Sequence, residues 1–84
     1  MKIAVIGGGS TYTPELVKGF LARVASFPLT ELWLMDTAPK RLETVGVFAQ
    51  RMVAAKGEPF TVVLSSDQRA AIRDASYVIT QLRV

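Results

Sequence analysis

Three consecutive glycines, Gly7, Gly8 and Gly9, followed by Ser10 and Thr11, are the residues of this sequence whose types and spacing most directly suggest chemistry. The run before them, Ile3-Ala4-Val5-Ile6, is short, apolar and rich in β-branched residues, which suits a strand covered on both faces. The residues after them read as the opening of a helix: Thr13 as a candidate N-cap, Pro14 at the first helical position, and Glu15 near the positive end of the helix dipole. A strand–turn–helix junction of this kind leaves backbone N–H groups free at a helix N-terminus carrying about half a positive charge. Anions bind there, and the pyrophosphate of a dinucleotide is the usual occupant. Of the full G-x-G-x-x-G pattern, Gly7 and Gly9 fill the first two places and Tyr12 stands in the third. A tight turn with no ligand is the plain alternative. The strand before, the helix after and an acidic residue closing the next strand favour a bound dinucleotide.

That acidic residue is Asp36, at the end of Glu31-Leu32-Trp33-Leu34-Met35-Asp36. A carboxylate at the tip of a second strand can accept hydrogen bonds from both ribose hydroxyls of an adenosine, and it repels a 2′-phosphate by about 1–4 kcal/mol. Its distance from Gly9 somewhat exceeds the ~20 residues of the usual fingerprint, and the long first helix with the turn at Phe27–Thr30 accounts for the excess. The competing role is a cap for the helix that opens at Pro39. Lys40 and Arg41 are near enough in sequence to meet a 2′-phosphate, but Asp36 makes NAD the expected cofactor.

Positioning these residues requires a sheet. Leu16, Phe20 and Val24, widened by Val17 and Leu21, form the apolar stripe of a first helix, in which Gly19 suggests close approach to a strand. A second helix, Lys40 to Lys56, carries Leu42, Val45, Ala49, Met52 and Val53, and Gly57 supplies its stop. Val47 and Phe48 lie off that stripe and imply a second buried contact. Phe60–Leu64 reads as a third strand, Ser65-Ser66-Asp67 as the cap of a short helix over Gln68–Arg73, and Ser76–Val84 as a fourth strand. Alternating strands and helices imply an α/β fold with a parallel sheet and right-handed crossovers. The glycine turn after the first strand gives a Rossmann-like, partial doubly wound sheet of order 3-2-1-4. No repeat or linker divides residues 1–84, which read as the incomplete N-terminal part of a NAD-binding domain ending after its fourth strand.

Composition narrows the function classes. Half of the 84 residues are hydrophobic, which is high for a free-standing module of this size and typical of strands buried on both faces. The ten basic and seven acidic residues give a net charge of +3, with no basic run interleaved with aromatics, so no nucleic-acid partner is expected. No apolar run approaches ~20 residues and no leader pattern precedes the first strand, so no membrane partner is expected. The absence of cysteine gives no argument for secretion, and a cytoplasmic protein is the default. Without histidine, the commonest transition-metal ligand and general base is missing from these residues.

The stretches Lys2–Leu16, Glu31–Asp36, Ala49-Gln50-Arg51-Met52-Val53 and Val78-Ile79-Thr80-Gln81-Leu82-Arg83 together resemble the amino-terminal part of glycoside hydrolase family 4, over essentially all 84 residues. The Tyr12-Thr13-Pro14-Glu15-Leu16 form of the loop looks most like the 6-phospho-β-glucosidase branch. In that family a non-glycine at the third fingerprint place is normal. The resemblance implies NAD-dependent glycoside hydrolysis, an exception to the two-carboxylate scheme. NAD⁺ takes hydride from C3 of the sugar, a base removes the acidified proton at C2, the aglycone leaves C1, water adds, and hydride returns. A divalent metal, commonly Mn²⁺, polarises the oxygens at C2 and C3. Carried onto this sequence, Gly7, Gly8, Gly9, Ser10 and Thr11 would face the pyrophosphate and Asp36 the ribose. Thr80 and Gln81 would lie near the nicotinamide, and Arg83 could approach the substrate phosphate. The family's metal-binding cysteine and histidine and its base tyrosine have no counterpart here, so no catalytic residue and no metal ligand is assigned, and the chain alone is expected to be inactive. The implied partners are a phosphorylated sugar and, for the full-length protein, further copies of itself. Two rival readings are the N-terminal part of a lactate- or malate-type dehydrogenase and a stand-alone nucleotide-binding module.

Overall fold

The computed structural model describes residues 1–81, so Leu82, Arg83 and Val84 lie outside the described residues. Seven elements follow one another: β1 (Lys2–Ile6), α1 (Thr13–Ala22), β2 (Glu31–Met35), α2 (Pro39–Ala55), β3 (Thr61–Ser65), α3 (Gln68–Ile72) and β4 (Tyr77–Thr80). The sheet order is β3-β2-β1-β4, with every pairing parallel. The expected order 3-2-1-4 is therefore the observed one. Register aligns Ile6 with Met35 on one side and Thr80 on the other, and Met35 with Ser65. The four carboxyl ends thus form one row. The ladder runs one step further through Gly7 N–H to the Met35 carbonyl at 2.8 Å and Gln81 N–H to the Ile6 carbonyl at 2.9 Å.

Strand periodicity divides the core in two. Ile3, Val5, Leu32, Leu34 and Val62 join Val17 of α1 and Leu42, Ala49 and Val53 of α2 in the main cluster. Ala4 and Met35 point to the other side, where Ala71 of α3 completes a much smaller cluster flanked by Ile6, Trp33 and Ala75. Lys2 binds that side down: its Nζ donates to the carbonyls of Ala70 at 2.9 Å and Arg73 at 2.7 Å, at the carboxyl end of α3, and lies 4.1 Å from the centre of the Trp33 ring. A cation at a helix C-terminus and over an aromatic face is favourable on both counts.

Helix ends follow the expected chemistry in part. Asp67 caps α3, accepting from the N–H groups of Arg69 and Ala70. Gly57, at φ +80°, stops α2: its N–H donates to Ala54 and that of Glu58 to Val53, the paired bonds of a Schellman motif. Thr13 is not the cap of α1. Tyr12 holds that position without a side-chain bond, and the Thr13 hydroxyl donates instead to the Gly8 carbonyl at 2.8 Å. Three further expectations differ. Val24 falls beyond the end of α1 and is exposed. A Cβ on Gly19 would meet only the Arg23 guanidinium, at 3.7 Å, so no strand approaches there; the close approach is at Gly46 of α2, against the Leu64 side chain. Val47 and Phe48 are exposed rather than buried, because the sheet already occupies the opposite side of α2.

Candidate functional site

Polar burial singles out one place. Among the described residues the buried polar side chains are Ser10, Thr13 and Asp36, and all three belong to the junction between β1, α1 and the tip of β2. Buried polar groups are costly unless bonded, so their concentration at one edge marks a built feature. Each glycine there is required by a different neighbour. Gly7 has φ +85°, and a Cβ would sit 2.7 Å from the Gln81 carbonyl oxygen beyond β4. At Gly8 it would be 2.9 Å from Cα of Leu34 on β2. At Gly9 it would meet Asp36 Oδ2 at 2.7 Å, Arg41 Cγ at 3.0 Å and the Leu42 nitrogen at 3.1 Å. The glycines are thus demanded first by close packing inside the protein.

The loop also uses most of its own donors. Gly7 and Gly8 both donate to the Met35 carbonyl, Ser10 to Gly7, Thr13 to Ser10, and Tyr12 to the Ser10 hydroxyl at 3.2 Å. Gly9 N–H donates to Asp36 Oδ2 at 3.0 Å. This corrects the expectation of a row of free N–H groups: the loop is closed by internal bonds, with Thr11 exposed at its tip.

Asp36 is 3% exposed and joins both candidate roles. Its Oδ1 accepts from Ala38 N–H at 2.9 Å, just before α2, while Oδ2 holds Gly9. The carboxylate therefore ties the second strand's tip to the glycine loop. Arg41, in the first turn of α2, stands with Nη2 4.0 Å from Oδ1. At the other flank, Gln81 follows β4 beside Gly7, and Thr80 is exposed one residue earlier. Arg83 lies outside the described residues.

Among the described residues, two buried side-chain atoms have no hydrogen-bond partner: Nε of Arg41 and Oε1 of Gln81. They flank the glycine loop on opposite sides, one beside Gly9 and one beside Gly7. An unpartnered donor and an unpartnered acceptor at the carboxyl edge of a parallel sheet, with a positive-φ glycine between them, fit a dinucleotide laid across that edge. Two surface grooves among the described residues lie elsewhere, one between α2 and edge strand β3 at Val47, Gln50 and Val62, the other between α1 and α2 at Leu21 and Met52. Neither includes a residue of the loop. Sequence reasoning gave Thr13 a different task and named Arg41, with Lys40, only as a neighbour for a 2′-phosphate rather than as a residue of the site. The signal for Arg41 was its place in the first helical turn after the acidic strand end.

Fold and site together define a Rossmann-like α/β unit whose ligand edge is the carboxyl end of β1, β2 and β4. The model of the family 4 glycosyl hydrolases matches residues 2–84, and the chain belongs to that family. It is similar to a probable 6-phospho-β-glucosidase of Bacillus subtilis, with 49% identity over 100% of this chain and 20% of the relative. A 6-phospho-β-glucosidase of Escherichia coli is 43% identical over 100% of this chain and 19% of its own. The chain thus spans about a fifth of the length of the curated relatives it matches. Among solved structures, the 6-phospho-β-glucosidase of Thermotoga maritima with manganese, NAD⁺ and glucose-6-phosphate superposes with a TM-score of 0.91 at 42% identity, covering 99% of this chain and 20% of that one. A 6-phospho-α-glucosidase from gut microorganisms, solved with NAD and glucose-6-phosphate, gives 0.92 at 32% identity, covering 100% and 19%.

Proposed function

We propose that this chain is the NAD-binding amino-terminal part of a 6-phospho-β-glucosidase that hydrolyses 6-phospho-glycosides by transient oxidation of the sugar. One observation carries the reading: the buried polar side chains Ser10, Thr13 and Asp36 and the unpartnered atoms of Arg41 and Gln81 all gather on the ligand edge of the sheet. Preference for the β-linked substrate class is supported by the higher identity to 6-phospho-β-glucosidases, 49% and 43%, than to a phospho-α-glucosidase of Clostridium acetobutylicum, 32%.

Residues 1–84 would form part of one NAD-binding domain. Gly7, Gly8, Gly9, Ser10 and Thr11 would hold the pyrophosphate, Asp36 the adenosine ribose, and Thr80 and Gln81 the nicotinamide end, with Arg83 towards the substrate phosphate. When bound, NAD supplies a hydride acceptor that returns its hydride at the end of the cycle. The contribution of these residues is to bind and orient it. A divalent metal, Mn²⁺, would be held by residues outside these 84, which contain no histidine or cysteine. The 84 residues alone would therefore turn over no substrate. The full-length protein would act in the cytoplasm as a homo-oligomer on a phosphorylated sugar.

The test is hydrolysis of a 6-phospho-β-glucoside by the full-length protein with NAD⁺ and Mn²⁺, followed at 340 nm as an order-of-magnitude check on any reduced cofactor, roughly one equivalent per site at most. Hydrolysis without accumulating NADH is expected; net NADH formation driven by substrate would instead favour a dehydrogenase. Gly9→Val should abolish NAD⁺ binding, because its side chain would drive Asp36 and Arg41 from their places. Unchanged affinity in a folded variant would make the glycine loop a structural turn only.

A further inference from the structure

Lys40 and Arg41 are adjacent cations at the start of α2, yet the fold treats them differently. Lys40 is exposed. Arg41 turns towards the loop, its Cγ near the place a Gly9 Cβ would take, its Nη2 4.0 Å from Asp36 Oδ1, and its buried Nε without a partner among the described residues. A separation of 4.0 Å is an electrostatic contact and too long for a hydrogen bond. The guanidinium is thus close enough to offset the charge of Asp36, while that Nε remains available for another acceptor.

From this arrangement we infer that Arg41 is a specificity-determining residue of the cofactor site: it sets, through Asp36, how strongly a dinucleotide carrying a 2′-phosphate is refused. The inference rests on the NAD-binding reading above. Asp36 is fixed by two backbone N–H groups, from Gly9 and Ala38, so its negative charge is held at the tip of β2. A 2′-phosphate brought there meets that charge and is repelled. Arg41 lies on the same spot with the opposite sign and with the planar donor geometry that suits phosphate. The refusal therefore comes from Asp36, and Arg41 works against it and so sets its strength. Once the charge of Asp36 is removed, the same guanidinium becomes a phosphate ligand, and the site accepts NADP⁺ without any new basic residue.

The experiment is calorimetric titration of the full-length protein with NAD⁺ and with NADP⁺ at fixed ionic strength. The variants are Asp36→Asn, Arg41→Met and the double change, methionine being chosen to keep apolar bulk against Gly9. Asp36→Asn should lower the ratio of the NADP⁺ to the NAD⁺ dissociation constant about tenfold or more, and Arg41→Met in that background should restore most of it. Arg41→Met alone should weaken NADP⁺ more than NAD⁺. Equal NADP⁺ affinity of Asp36→Asn with and without Arg41→Met would overturn the inference while leaving NAD binding intact. If Asp36→Asn does not fold, Arg41→Met decides the matter: an unchanged NADP⁺ to NAD⁺ ratio in that variant overturns it. A wild-type protein that binds neither dinucleotide overturns the cofactor reading and this inference with it.

Discussion

The two faces of the sheet differ sharply in how they are covered. One carries α1 and α2, of 10 and 17 residues, and buries Ile3, Val5, Leu32 and Leu34 almost completely. The other carries only the 5-residue α3, and its buried set is Ala4, Met35 and Ala71. On that thinner side Ile72 and Val78 are exposed, and α3 is held by the Lys2 ammonium as well as by apolar contact. The lesson is that the glycine loop and Asp36 are braced from the dense side. Leu34 abuts Gly8, and the first turn of α2 stands against Gly9. The flank at Gln81 is braced from β4, a strand with no buried residue.

The contrast breaks most directly at neighbouring residues of β2. Leu34→Ala, on the dense face, should destabilise the full-length protein by about 4 kcal/mol, and Met35→Ala, on the thin face, by about 2, the upper and lower parts of the range for such truncations. Urea unfolding of both variants checks the ranking, and equal losses would mean that the faces are equally packed. A finer probe compares two helical glycines. Gly46→Ala pushes a methyl into Leu64 and should lose about 1–2 kcal/mol, whereas Gly19→Ala makes only an ordinary contact with Arg23 and should gain about 0.5–1. Thermal melts of the pair should move in opposite directions. The smallest effect belongs to the thin side: Lys2→Met keeps the stem against Trp33 but removes the bonds to α3, a loss of about 1 kcal/mol or less. Hydrogen exchange should show that loosening in α3 and leave α2 unchanged.

Element order and strand order were legible because apolar β-branched runs alternate with helical stripes, and because parallel strands admit few topologies. Asp36 was legible for a similar reason: a carboxylate that ends an apolar strand must emerge at the sheet's edge. What escaped depends on contacts that sequence spacing does not encode. Thr13 has the composition of a cap, but the carbonyl of Gly8 lies within reach once the loop folds back, and the hydroxyl goes there. Gly19 and Gly46 look alike in sequence, and only the docking of each helix decides which one meets a side chain. Val47 and Phe48 were expected to be covered because they are apolar, yet no element among the described residues packs over them. The donors of the glycine loop were misjudged for a related reason. Motif reasoning assigns them to a ligand, while the carbonyl of Met35 and the carboxylate of Asp36 lie within hydrogen-bonding distance.

That internal bonding has a kinetic and entropic side. A glycine-rich segment left to itself samples many conformations, and freezing each residue costs about 1–2 kcal/mol at room temperature. Here the freezing has already happened during folding, because the Met35 carbonyl, the Asp36 carboxylate and the Thr13 hydroxyl hold Gly7, Gly8 and Gly9 in one shape. A ligand arriving at this edge meets a rigid, preorganised surface and does not have to order the loop as it binds. Association at such a surface is governed by encounter and orientation rather than by loop closure, so a cofactor can leave and return without the turn ever melting.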